Sequence, residues 1–289
     1  MEEKIGIITD STCDIPAELI EQHGIEVVPL RIIYANRECR DGIEITPEEV
    51  YNTLDDEVPT TSLPLPEDVE AVFAKMKQKG FTHILSIHLS SGLSGTGQMM
   101  ETMANQAKDL VVKVIDSKSI SMGLGLMVIE AAKAAEKEMS FEAICQHLSS
   151  VRERISVFFV LGTLEYLKRG GRIGRVSGTL GQILNIKPII TVTPEGIYTT
   201  YAKVRGRNQS IERMFTIVKE HLAKAASTVA VCYGGAQEEA ITLAKKIEKL
   251  PNLTQLFVSN VSPVIGVHTG PGTLGFAILT NTEDDHQAP

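Results

Sequence analysis

Short apolar runs alternate with amphipathic stretches through the first half of the chain, and that alternation narrows the fold more than any other feature. Residues 5–8, 25–33, 84–89 and 110–115 read as strands, being apolar runs bounded by turn residues. Between them lie helical patterns over 16–23 with Asp14 as the cap, from Thr46, over 66–80, from about Gly95 and after Ser119. The Thr46-Pro47-Glu48-Glu49 run is a capping box with proline at the first helical position. Strands that alternate with helices build a mostly parallel sheet covered on both faces.

Near residue 156 the pattern changes. Strands are expected at 157–160, 188–192, 197–204, 228–232, 256–261 and 276–279, and helices at 164–167, 210–224 and 237–249. The expected fold class is therefore α/β in two domains. Residues 1–155 form an N-terminal, mostly parallel three-layer α/β sandwich, and residues 156–281 an α+β domain with a mixed sheet. Residues 282–289 form a polar tail.

Composition removes several function classes. A net charge of −8 argues against nucleic acid as the main partner. The four cysteines, Cys13, Cys39, Cys145 and Cys232, are scattered without a CxxC spacing, which fits reduced thiols better than disulfides or zinc. The acidic start at Met1-Glu2-Glu3-Lys4 runs straight into a strand, so no signal peptide is expected, and no apolar run reaches the ~18 residues of a membrane span. The expectation is a cytoplasmic protein without stable membrane insertion. His83 and His88 flank one strand without a paired ligand set, so no metal is expected.

Hydroxyl-rich segments sit where open α/β sheets gather ligands, at strand ends. Thr9-Asp10-Ser11-Thr12 ends the first strand, and Ser90-Ser91-Gly92-Leu93-Ser94-Gly95-Thr96 follows the third. The hydroxyls can donate hydrogen bonds and the glycines let backbone N–H groups approach a polar head group. Local capping and turn formation are the competing reading for Asp10, Ser11 and for Pro59-Thr60-Thr61-Ser62. His268 is a lone histidine after an apolar run, the usual setting of a core residue, yet it is embedded in glycines.

Two motif matches fail on context. Gly270-Pro271-Gly272-Thr273-Leu274-Gly275 fits GxGxxG, but a strand follows it instead of a helix. Gly92-Leu93-Ser94-Gly95-Thr96 approaches a nucleophile elbow with threonine where the last glycine belongs. The runner-up function built on it is a hydrolase or transferase acting on a small acyl or phosphorylated substrate through Ser94, for which no base is evident. The basic stretch from Lys168 to Arg175, with Lys203, Arg205 and Arg207, stands out in an acidic protein. It reads either as solvated charge or as docking for an acidic or phosphate-bearing partner.

Taken together these segments resemble the DegV family over almost the whole chain, from Lys4 to about Leu279. The resemblance rests on Ile8-Thr9-Asp10-Ser11-Thr12, Pro59-Thr60-Thr61-Ser62, the 90–96 loop, Asp116-Ser117, the 167–173 run, Lys187-Pro188, Lys203-Val204-Arg205 and His268-Thr269-Gly270-Pro271-Gly272. At Leu63 the chain departs from the glutamine that many members carry. The resemblance implies a non-catalytic carrier of a long-chain fatty acid (C16–C18) buried between two α/β domains, with no other cofactor. Thr61 and Ser94 would hold the carboxylate, with Ser62, Ser91 and His268 nearby. It also implies the acyl-carrier subunit of a bacterial fatty acid kinase, acting as a monomer. A separate ATP-using kinase subunit then forms acyl phosphate for phospholipid synthesis, and Arg172, Arg205 and Arg207 would contact that partner or phosphate. Met99, Met122, Leu126 and Phe158 are candidates to shape the acyl tunnel.

Physical magnitudes divide the work of such a site. About fourteen buried methylenes at roughly 0.8 kcal/mol each give on the order of 11 kcal/mol before ordering costs. A hydrogen bond to a charged head group contributes about 1.5–3 kcal/mol. The tail should set affinity and the hydroxyls the register.

Overall fold

The computed structural model describes residues 3–179 and 186–282. The first half runs β1 (Ile5–Asp10), α1 (Ala17–Gln22), β2 (Glu26–Val28), β3 (Arg31–Ile33), β4 (Glu38–Arg40), α2 (Pro47–Thr53), β5 (Thr60–Ser62), α3 (Pro66–Gln78), β6 (His83–His88), α4 (Thr96–Ala104), β7 (Val111–Asp116), α5 (Met122–Glu136) and α6 (Phe141–Glu153). The second half runs β8 (Ile155–Val160), α7 (Glu165–Arg169), β9 (Ile186–Val192), β10 (Tyr198–Arg205), α8 (Arg207–Leu222), β11 (Ser227–Gly234), α9 (Gln237–Ile247), β12 (Leu253–Asn260), α10 (Pro263–Thr269) and β13 (Thr273–Thr280).

Four strands of the first half form an all-parallel sheet in the order β2-β1-β6-β7. Six strands of the second half form a mixed sheet, β10-β9-β8-β13-β11-β12, in which only β11 and β12 pair in parallel. A helix that spans two such sheets has no face left for water, and α5 accordingly buries eleven of its fifteen residues. One continuous apolar cluster joins Ile7 and Leu85 of the parallel sheet, Leu124 and Met127 of α5, and Val157, Phe159 and Ala277 of the mixed sheet.

The structure corrects the sequence reading in several places. Residues 25–33 form two strands in different sheets. Pro29 has no N–H for a ladder, and the chain leaves the parallel sheet there. The second piece, β3, joins a small antiparallel sheet, β4-β3-β5, in which Ile32 faces Thr61. Thr60 to Ser62 is thus a strand and not a turn before α3. Asp14 does not cap α1. It ends a 3-10 turn in the left-handed region at φ 52°, and Pro16 precedes α1 without a side-chain cap.

Helices α6 and α10 were not expected. Ser140 caps α6, and Ser262 caps α10 with Pro263 behind it. The capping box at Thr46 forms, with Glu49 N–H donating to Thr46 Oγ1 at 3.2 Å and Thr46 N–H to Glu49 Oε2 at 2.7 Å. Val264 and Val267 of α10 pack against Leu30, Ile32 and Tyr34 of the small sheet. Thus the small sheet from the first half covers a helix from the second. Of the polar tail, residues 283–289 lie outside the described residues, as do positions 180–185 beyond the basic stretch. No helix among the described residues is long and apolar enough to cross a membrane.

Candidate functional site

The ends of β1, β5 and β6, the start of α4 and one side of α10 converge on a half-polar pocket of about 750 Å³. Thr61, Ser62, Ser94, His268 and Arg172 all line it. A second pocket of about 430 Å³ lies between the start of α5 and the inner face of β8 and β13, lined by Met122, Val157, Phe159, Phe276 and neighbouring apolar residues. Ile120, Tyr198, Ile265 and Thr269 belong to both linings. The two spaces therefore adjoin, as a polar mouth beside an apolar slot.

His268 is the most constrained group of the mouth. Its Nε2 lies 2.8 Å from Thr61 Oγ1. Burial, followed by the positive charge of Arg172, pushes its pKa down to about 4, so the ring is neutral near pH 7. Its Nδ1 is buried without a hydrogen-bond partner among the described residues. The ring lies against Gly170, where an added Cβ would stand 2.1 Å from Nδ1. Glycine in the basic loop is what lets that loop close over the histidine.

Arg172 is the cation of the mouth, held by Nε donating to the Leu93 carbonyl at 3.3 Å and by a second bond to the Gly170 carbonyl. The sequence placed it with a partner-contact group, whereas the structure turns it into the pocket. The other two members of that group lie elsewhere. Arg205 is exposed at the end of β10, and Arg207 is bonded through its Nε to both carboxylate oxygens of Glu239 at 3.2 Å.

The 90–96 loop divides its labour. Ser94 lines the mouth, with its Oγ 2.9 Å from Thr96 Oγ1. Ser94 thus shares its hydrogen bond with a threonine hydroxyl, whereas a nucleophile needs an imidazole or carboxylate base beside it. Ser91 is exposed and outside both linings, accepting from Lys118 Nζ at 2.9 Å. Ser90 donates to the Gly196 carbonyl at 2.8 Å. Gly196 sits at φ +78°, and an added Cβ there would stand 1.8 Å from Ser90 Oγ. Half of the loop therefore fastens the first half of the chain to the β9–β10 hairpin and leaves Ser94 and Gly95 for the pocket.

Asp10 is fully buried and structural. It accepts from Thr12 N–H at 3.0 Å, Thr12 Oγ1, Leu89 N–H at 2.9 Å and the His88 ring at 3.0 Å. Of the four tunnel candidates, Met122 and Phe158 line the slot, while Leu126 packs in the core behind it and Met99 in a separate apolar cluster. Arg172, Tyr198, Ile120 and Ile265 were not read as pocket residues, since no local spacing ties them to it. Leu63 lines the mouth and offers it no hydrogen bond. No group of three or more His, Cys, Asp or Glu among the described residues is arranged to hold a metal ion.

A two-domain α/β protein with a polar-mouthed apolar slot is the class that this geometry defines. The family model described as an uncharacterised protein of the DegV family matches residues 4–281, and the chain belongs to that family. It is 42% identical to a DegV domain-containing protein of Clostridium acetobutylicum, over 96% of this chain and 99% of the relative. A DegV family protein from Thermus thermophilus, whose structure is described by its fatty acid binding, superposes with a TM-score of 0.89 at 35% identity, covering 96% of this chain and 100% of the other. A stearic acid-binding protein from Eubacterium ventriosum gives a TM-score of 0.86 at 29% identity, covering 96% and 98%.

Proposed function

We propose that this protein carries one long-chain fatty acid, with its carboxylate in the polar mouth and its tail in the apolar slot. Thr61, Ser62, Ser94 and His268 hold the head group together with Arg172, and Ser91 is left out. One observation carries the reading: the mouth and the slot share four lining residues, so a single amphiphile can occupy both. The order of magnitude agrees, because burying the tail supplies the affinity while the mouth keeps a carboxylate from being buried unpaired. Arg172 supplies the positive charge that neutral His268 does not. Fatty acid binding by the Thermus and Eubacterium relatives supports the ligand class.

The finer reading makes the protein a cytoplasmic, monomeric carrier that presents the carboxylate to a separate ATP-using kinase subunit for acyl phosphate formation. Exposed Arg205 is the basic position offered to that partner. Denaturing mass spectrometry of protein purified from a bacterial host should release C16–C18 acids in near-stoichiometric amount; lipid-free protein that also fails to take up palmitate would refute the carrier role. Arg205→Glu should slow kinase-dependent phosphorylation and leave palmitate binding intact, and equal loss of both would remove Arg205 from the docking surface.

A further inference from the structure

We infer that Asp14 and Asp41 are positioning residues for the head-group end of the site: two buried carboxyl groups from the first half of the chain that hold the start of α10 and, through it, His268 against Thr61. The inference rests on the fatty acid reading of the mouth. Neither carboxylate lines either pocket, and they are 7% and 2% exposed. Asp41 Oδ1 accepts from Val264 N–H at 2.9 Å, and its Oδ2 accepts from the Ser11 hydroxyl at 2.6 Å. Ser11 Oγ in turn accepts from Leu30 N–H at 3.1 Å. Asp14 Oδ1 accepts from Ser262 N–H at 2.8 Å, and its Oδ2 accepts from the Ser121 hydroxyl.

The first N–H groups of a helix have no partner within it and take acceptors from outside. At α10 two such groups, Ser262 N–H at the cap and Val264 N–H in the first turn, are taken by carboxyl oxygens from different segments. Their anchors are also wall residues: Leu30, Val264, Ile265, His268 and Thr269 line the mouth, and Ser121 lines the slot. The network therefore sits one layer behind the pocket. Its backbone supports the same placement, because Asp14 and Ser121 both hold positive φ, 52° and 55°, which side-chain-bearing residues adopt only when their surroundings impose it. His268 lies four residues beyond Val264, about 6 Å along the helix at 1.5 Å per residue. A shift or tilt at the first turn is thus carried directly to the imidazole.

A purely structural role and a positioning role separate on ligand chemistry. Equilibrium retention of labelled palmitate and of labelled methyl palmitate, measured on the full chain, reads the head group and the tail independently. Asp41→Ala should weaken palmitate at least tenfold while changing the methyl ester less than twofold, and Asp41→Asn, which keeps an acceptor for Val264 N–H, should recover palmitate to within threefold. Ser11→Ala, which keeps the carboxylate and removes the hydroxyl that orients it, gives a selective loss of about threefold even where Asp41→Ala does not fold. Equal losses for acid and ester, or unchanged palmitate binding in folded variants, would overturn the positioning role. Wild-type protein that retains neither ligand would instead refute the carrier reading on which the inference stands.

Discussion

The mouth and the slot adjoin, yet they are built in opposite ways. The slot is lined mainly from regular elements, Ile120 to Gly123 at the start of α5, Val157 to Phe159 of β8 and Gly275 to Ala277 of β13, with single residues such as Tyr198 and Cys232. It lies between that end of α5 and the mixed sheet. The mouth takes its residues mostly from strand ends, loops and α10, in short pieces such as 61–63 and 93–95 scattered between Thr12 and Thr269. Their only common feature is that the topology delivers them to one end of the parallel sheet. The contrast teaches that affinity resides in the periodic part of the sequence and head-group register in the aperiodic part.

The largest effect that sharpens this division comes from the ligand. Shortening palmitate by four methylenes removes about 3 kcal/mol of burial, roughly two orders of magnitude in Kd by calorimetry. A smaller dependence would mean that the tail is not inside the slot. Next comes Arg172→Met, expected to weaken palmitate by about 1.5–3 kcal/mol while leaving methyl palmitate unchanged. Because the Arg172 charge helps to lower the His268 pKa, the same variant should shift the His268 titration upward in NMR. Thr61→Ala removes the hydroxyl 2.8 Å from His268 and should cost about 1 kcal/mol, again only for the acid.

Stability against pH is read without ligand and probes the support behind the mouth. Burial is the main cause that pushes the Asp14 carboxyl up to about 8 and the Asp41 carboxyl up to about 7. The fold then binds more protons than the unfolded chain between about pH 4 and 8, so these groups make stability fall as pH rises. His268, pushed down to about 4, acts with the opposite sign and makes stability fall as pH drops below about 6.5. Between pH 6.5 and 8 the two carboxyl groups act without that opposition from His268. Calorimetric Tm should decline across that window, and Asp14→Asn should flatten the decline; an unchanged slope would show that Asp14 is already ionised in the fold.

Legibility in the sequence follows the same division. The parallel sheet and the mixed sheet are readable because apolar runs and amphipathic stretches repeat with their proper periods. The small sheet is not, since its strands have three residues each and Pro29 hides inside an apolar run. In α10 six of seven residues are buried, so no helical period survives, and only Ser262-Pro263 signals a helix start. Thr61, Ser62, Ser94 and His268 could be named from hydroxyl-rich strand ends and a resemblance. Arg172 could be seen as basic but not as turned inward, because that direction is set by the Leu93 and Gly170 carbonyls, 79 and two residues away.

The central claim is that one fatty acid occupies mouth and slot together, and a crystal structure with 16-bromohexadecanoic acid tests it most directly. The carboxylate should lie within hydrogen-bond distance of Thr61 and Ser94 and beside Arg172. The anomalous bromine peak should fall in the slot, among Met122, Phe159 and Phe276. A bromine peak in the mouth, or away from the space between α5 and the mixed sheet, would contradict the account.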